Sequence, residues 1–62
     1  MYKEIKKKKF LDSDGRNEIL AIYEGDFVRF YRMEGDKMLD EDVLIEGDFR
    51  IMTREEGWKE IL

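Results

Sequence analysis

Cysteine, histidine and proline are all missing from this chain of 62 residues, and each absence closes a class of explanation. Without cysteine there is no disulfide framework and no thiolate nucleophile. Without histidine there is no ordinary zinc site, no Ser/His/Asp or Cys/His arrangement, and no side chain of unperturbed pKa near neutrality. Ser13 is the only serine, and the glycines stand about ten residues apart, so no phosphate-cradling loop is present. No apolar run reaches ten residues, which leaves neither a signal-peptide core nor a transmembrane span. The default location is cytoplasmic.

Charge is abundant. Sixteen acidic residues against 12 basic ones give a net −4, with 45% of the chain charged, a balance that favours solubility and disfavours general nucleic-acid or membrane binding. The length fits one small β domain, 1–62, and chains below roughly 70–80 residues rarely bury enough core to stand alone without staples. A homodimer, a protein partner or an unusually well-formed small barrel is what remains.

The organising stretch is Tyr23-Glu24-Gly25-Asp26-Phe27, which returns as Ile45-Glu46-Gly47-Asp48-Phe49. Each copy reads as a strand end, a Glu-Gly turn, and a Phe opening the next strand; glycine supplies the positive φ that tight hairpins demand. Gly15, Gly35 and Gly57 follow acidic residues in the same way, so all five glycines are expected turns. Their spacings of 10, 10, 12 and 10 residues match short strands joined by two-residue loops.

In chain order, residues 1–12 read as a strand carrying Lys6-Lys7-Lys8-Lys9, a charged run that faces water or guards an open edge. A short helix bringing Tyr2 and Ile5 together is the alternative. The continuous apolar run Ile19-Leu20-Ala21-Ile22-Tyr23 suits a strand covered on both faces. Phe27 to Met33 is rich in aromatic and β-branched residues and is the clearest strand. The stretch 38–45 carries the insert Asp40-Glu41-Asp42, with room for a bulge. Residues 49–54 alternate as a strand would, and 58–62 form a terminal strand, with a helical turn over Arg54-Glu55-Glu56 as the alternative.

Two-residue loops fix the register. They set Phe10 opposite Ile19, Ile19 opposite Phe30, Phe30 opposite Leu39 and Arg29 opposite Asp40. They also set Ile22 against Phe27, Leu44 against Phe49 and Met52 against Ile61. The same bookkeeping leaves Val28 opposite Glu41 and Val43 opposite Arg50, so the ideal register breaks in the fourth strand. Apolar residues fall on both faces, as in a curled sheet. The expected fold is therefore all-β, an antiparallel meander of five or six short strands curled into a small barrel. It resembles the Src-homology-3-like and oligonucleotide-binding barrels; an open meander completed by dimerisation is the alternative.

Two further resemblances rest on particular residues. The pair Tyr23-Glu24-Gly25-Asp26-Phe27 and Ile45-Glu46-Gly47-Asp48-Phe49 is similar to the opening of the membrane occupation and recognition nexus repeat, whose units are hairpins of similar period. The absence of proline, cysteine and histidine, with a glycine in every turn, resembles computationally designed β-proteins, which implies a scaffold with no biological activity.

No catalytic residue, cofactor site or metal site is read from the sequence. Asp12-Ser13-Asp14-Gly15 resembles the start of a calcium loop, but position 12 of that count is Tyr23 where a bidentate Glu is required. The candidate binding surface comprises Lys6, Lys7, Lys8, Lys9, Arg29, Tyr31 and Arg32, with Phe27 and Trp58 as stacking aromatics. The competing assignment puts Phe10, Phe27, Phe30, Phe49 and Trp58 in the core. Three functions follow: a non-catalytic scaffold or interaction module, a nucleic-acid-binding barrel, or an acidic adaptor using Asp40-Glu41-Asp42.

Overall fold

Alternating apolar residues between glycine turns build a five-stranded antiparallel sheet in the computed structural model, which describes residues 6–61. The expectations for residues 1–5, including the helix through Tyr2 and Ile5, lie outside the described residues. The strands are β1 (Lys6–Leu11), β2 (Glu18–Glu24), β3 (Phe27–Glu34), β4 (Lys37–Ile45) and β5 (Lys59–Ile61), with one helix, α1 (Glu46–Glu56), between the last two. Their spatial order is β4-β3-β2-β1-β5. Among the described residues the sheet is open, with β4 and β5 as its edges, and not the closed barrel expected.

The first hairpin keeps the expected pairing of Phe10 with Ile19, although its loop is six residues long, not two. The Asp12 N–H donates to the Asn17 carbonyl and the Gly15 N–H to the Asp12 carbonyl, both at 3.0 Å. The Asp12 carboxylate accepts the Arg16 N–H, also at 3.0 Å. In the second hairpin Glu24 faces Phe27, so the loop is Gly25-Asp26. Gly25 has φ 63° and no described non-glycine residue has positive φ, the pattern of a type II′ turn with glycine first. This moves each partner by two residues. Ile19 faces Arg32, Ala21 faces Phe30 and Ile22 faces Arg29, but an even shift leaves every side chain on its expected face.

The break expected in the fourth strand is a bulge. Met33 pairs with Met38 and Arg32 with Asp40, so Leu39 is the extra residue. Beyond it the register is three residues from the ideal, an odd shift that exchanges the faces of β4. Val28 therefore meets Leu44 instead of Glu41, Phe30 meets Asp42 instead of Leu39, and Arg29 meets Val43 instead of Asp40.

The larger correction concerns the repeat. Its first copy is a hairpin; its second is a strand running into α1, so Gly47 is a helical residue without positive φ, and the expected strand 49–54 does not form. Chain composition explains the difference. After Phe27 come Val28, Phe30 and Tyr31, which favour a pleated strand, whereas after Phe49 the helix formers Arg50, Met52, Arg54, Glu55 and Glu56 outnumber the β-branched Ile51 and Thr53. Glu46 and Asp48 sit in the first turn and Arg54 in the last, complementing the helix dipole. Ile45 makes no side-chain cap; instead the Glu46 N–H donates to the Asp26 carbonyl at 2.9 Å, tying the helix start to the β2–β3 turn. Gly57, at φ 73°, ends the helix. Its N–H donates to the Arg54 carbonyl at 3.3 Å and the Trp58 N–H to that of Thr53 at 2.9 Å, the two bonds of a Schellman motif.

Phe49 is the hub of the core that results. It is 1% exposed, and its ring lies 5.6 Å from Phe10, 6.1 Å from Tyr23, 5.1 Å from Phe30 and 6.4 Å from Trp58, centre to centre. Ile19, Ala21 and Val28 complete the buried set. The repeat's other phenylalanine, Phe27, is 53% exposed and outside the core, contrary to the all-aromatic core expected. The predicted pairings of Leu44 with Phe49, Val43 with Arg50 and Met52 with Ile61 disappear, because 49, 50 and 52 are helical. No described helix is long and apolar enough to cross a membrane.

Candidate interaction face

Strand alternation divides the seven candidate residues between two faces. Phe10, Ile19, Ala21, Val28 and Phe30 point to α1, so their neighbours along each strand point away from it. Lys9, Leu20, Tyr31 and Glu41 form one cross-strand row on the face away from the helix, and Lys7, Ile22, Arg29 and Val43 form the next. Glu24, Phe27 and Ile45 form a third. Thus Lys7, Lys9, Arg29 and Tyr31 come together, whereas Lys6, Lys8 and Arg32 are on the helix side.

On the helix side the cations already have company. The ammonium groups of Lys6 and Lys8 lie 5.9 and 5.7 Å from the centre of the Tyr23 ring, and Lys8 is 3.6 Å from Glu60. They border a recess of about 220 Å³ between β1 and α1, closed by Glu46, Arg50 and Thr53; Arg50 pairs with Glu46 at 3.6 Å. Burial and the nearby Glu46 and Glu60 push the Tyr23 phenol above its ordinary value, with Arg50 opposing. Arg32 lies 6.0 Å from the centre of the Trp58 ring. The platform expected from Phe27, Tyr31, Trp58, Arg29 and Arg32 is therefore split, with Trp58 and Arg32 behind the sheet.

On the open face, Arg29 is held between two carboxylates. Its Nε donates to Glu24 at 3.2 Å and its Nη1 to Glu41 at 3.3 Å. These hydrogen bonds, to Glu24 first, raise the guanidinium pKa above its ordinary value, so Arg29 stays charged and locally neutralised. The acidic insert is divided as well: Glu41 turns to Arg29, while Asp40 and Asp42 sit on the helix side. The Asp42 carboxylate accepts the Val43 N–H at 2.8 Å, occupying a donor of the β4 edge.

Of the apolar residues beside this ion pair, sequence reading named Phe27 and Tyr31 but missed Leu20, Ile22, Val43, Ile45 and Ile61. Phe27 is 53%, Val43 43% and Ile45 55% exposed, and Leu20, Ile22, Tyr31 and Ile61 are half-buried by lateral neighbours alone. The signal was present in the unbroken run Ile19 to Tyr23, which marks a strand apolar on both sides. One side is covered by α1, and among the described residues nothing covers the other. No protein-family model, curated protein or solved structure matches this chain.

Proposed function

We propose that this chain is a non-catalytic binding module that takes a protein surface against the helix-free face of its sheet. One observation carries the reading: every strand contributes an apolar side chain to that face, Leu11 from β1 and Ile61 from β5 included, and no described element covers it. An antiparallel sheet whose second face meets water ordinarily alternates to polar residues there, and a contiguous exposed apolar patch marks an interaction surface. The charge on the face fits the same reading, since Arg29 is compensated by Glu24 and Glu41 and Leu20, Ile22 and Tyr31 lie between Lys7 and Lys9 on one side and Glu41 on the other.

The division of the lysines weighs against a nucleic-acid platform, because only Lys7 and Lys9 of the tetralysine share a face with Tyr31. The division of Asp40, Glu41 and Asp42 weighs similarly against an acidic adaptor edge. Photo-crosslinking tests the proposal. A benzoyl-phenylalanine placed at Ile22, on the open face, is expected to form protein adducts in producing cells. The same group at Ile51, exposed on the far side of α1, is expected to form none. Equal adducts at both positions, or none at 22, overturn the reading.

A further inference from the structure

We infer that the occupant of the open face is the same face of a second copy of this chain, related by a two-fold axis running along the strands between β2 and β3. The inference rests on the binding-module reading and names its partner. Charge selects the axis. On this face the cations Lys7 and Lys9 of β1 and Lys59 of β5 lie on one side and Glu41 of β4 on the other, and the two strands between them carry Leu20, Ile22 and Tyr31 together with Glu18, Glu24 and Arg29. Rotation about an axis parallel to the strands carries β1 over the partner's β4 and β2 over its β3. Lys9 then faces Glu41 and Leu20 faces Tyr31, each contact occurring twice, as a two-fold interface requires. An axis across the strands would instead stack β1 on β1 and β4 on β4, setting lysine against lysine and Glu41 against Glu41. Aligned sheets cross at about 30°, roughly 10 Å apart, so the long Lys9 and Glu41 side chains can span the gap while Leu20, Ile22 and Tyr31 fill it.

Size and edges agree with a face-to-face association. The four strands that overlap about this axis, β1 to β4, each about 4.8 Å wide, with about seven residues at 3.3 Å, give a face of roughly 19 by 23 Å. Side-chain relief raises its accessible area toward the roughly 600–800 Å² per partner of a small specific interface. Pairing through the sheet edges is blocked instead: β4 carries a bulge and a side-chain-capped N–H, and β5 has only three residues, both devices that blunt edges. A second copy also supplies the apolar cover that a chain this short cannot provide for itself.

Sedimentation equilibrium of the purified full chain tests the arrangement, with Lys9→Glu, Glu41→Lys and their equimolar mixture measured beside it and folding checked by circular dichroism. The mass of the unaltered chain is expected to rise from monomer to dimer with concentration. Each single variant is expected to dimerise about tenfold more weakly, because two opposite-charge contacts per dimer become like-charge contacts. Mixing the two variants restores association, since their heterodimer has one original contact and one reversed contact. A chain still monomeric at about 1 mM overturns the inference. So do single variants that associate as well as the unaltered chain, or a mixture no stronger than its components. Adducts at position 22 whose mass exceeds the chain by some other protein would sink the second copy while leaving the binding module standing; absence of any adduct would sink both.

Discussion

Truncating the two phenylalanines of the repeated pentapeptide separates the two structures it adopts. Phe49 is 1% exposed and packs on four other aromatic rings, so Phe49→Ala removes a full side chain from the centre of the core. Such truncations cost about 3–5 kcal/mol through lost transfer energy and the cavity left behind. A single core in a chain of this size rarely supplies more than about 3–5 kcal/mol of stability, so Phe49→Ala is expected to be largely unfolded in water. Phe27 follows the same Glu-Gly-Asp sequence but is 53% exposed. Phe27→Ala should change stability by no more than about 0.5–1 kcal/mol. Urea denaturation followed by the fluorescence of Trp58, the chain's one tryptophan, reads both, because Trp58 packs on Phe49 and Phe30. The comparison is made at a concentration where sedimentation shows monomer, so that cover by a second copy does not enter. Equal losses at the two positions would refute the helical placement of Phe49, since two hairpin copies would bury their phenylalanines alike.

The glycines give opposite signs for one substitution. Gly47→Ala, in a helix with open space around the added methyl, should stabilise by up to about 1 kcal/mol. Gly57→Ala, at φ 73°, should destabilise by about 1 kcal/mol; thermal melts of both variants decide, and a stabilising Gly57→Ala would contradict the helix end. Tyr23 supplies a pH dependence. A phenol pKa raised by folding means that the native state holds its proton more tightly than the unfolded chain, so this contribution is complete below pH 10 and falls away as pH rises through the native value. Tyr23→Phe should therefore flatten the decline in stability above about pH 10, measured by urea midpoints across that range; an unchanged slope would remove Tyr23 as its source.

Much of the sheet was legible because strand faces tolerate even errors of register. Placing the β2–β3 loop one residue early changed the partner of Ile19 on β3 and that of Phe30 on β2 but moved no side chain to the wrong face. The odd shift at Leu39 was legible only as a mismatch, Val28 against Glu41, which the bulge resolves by bringing Leu44 to Val28. The helix was hidden by its own first residues, since Ile45-Glu46-Gly47-Asp48-Phe49 repeats a true hairpin and local sequence at a turn is ambiguous. What followed held the answer: Glu46 and Arg50 one helical turn apart, Phe49 and Met52 on one face, and Gly57 after two glutamates. The candidate surface was half legible for a related reason. Four adjacent lysines look like one patch in sequence, but a strand sends Lys6 and Lys8 to Tyr23 and leaves only Lys7 and Lys9 beside Tyr31. Apolar residues on both faces were read as a sign of barrel closure, whereas here one face receives a helix and the other remains open.

The central claim is that the helix-free face of the sheet is the surface through which this chain binds. The most direct test is a methyl-detected concentration series by nuclear magnetic resonance on the unaltered chain. Progressive shifts of the Leu20, Ile22, Val43 and Ile45 methyls, with Ile51 unmoved, are the predicted result. Shifts centred on Ile51 and Met52, or a spectrum indifferent to concentration while a partner perturbs the helix side, would contradict it.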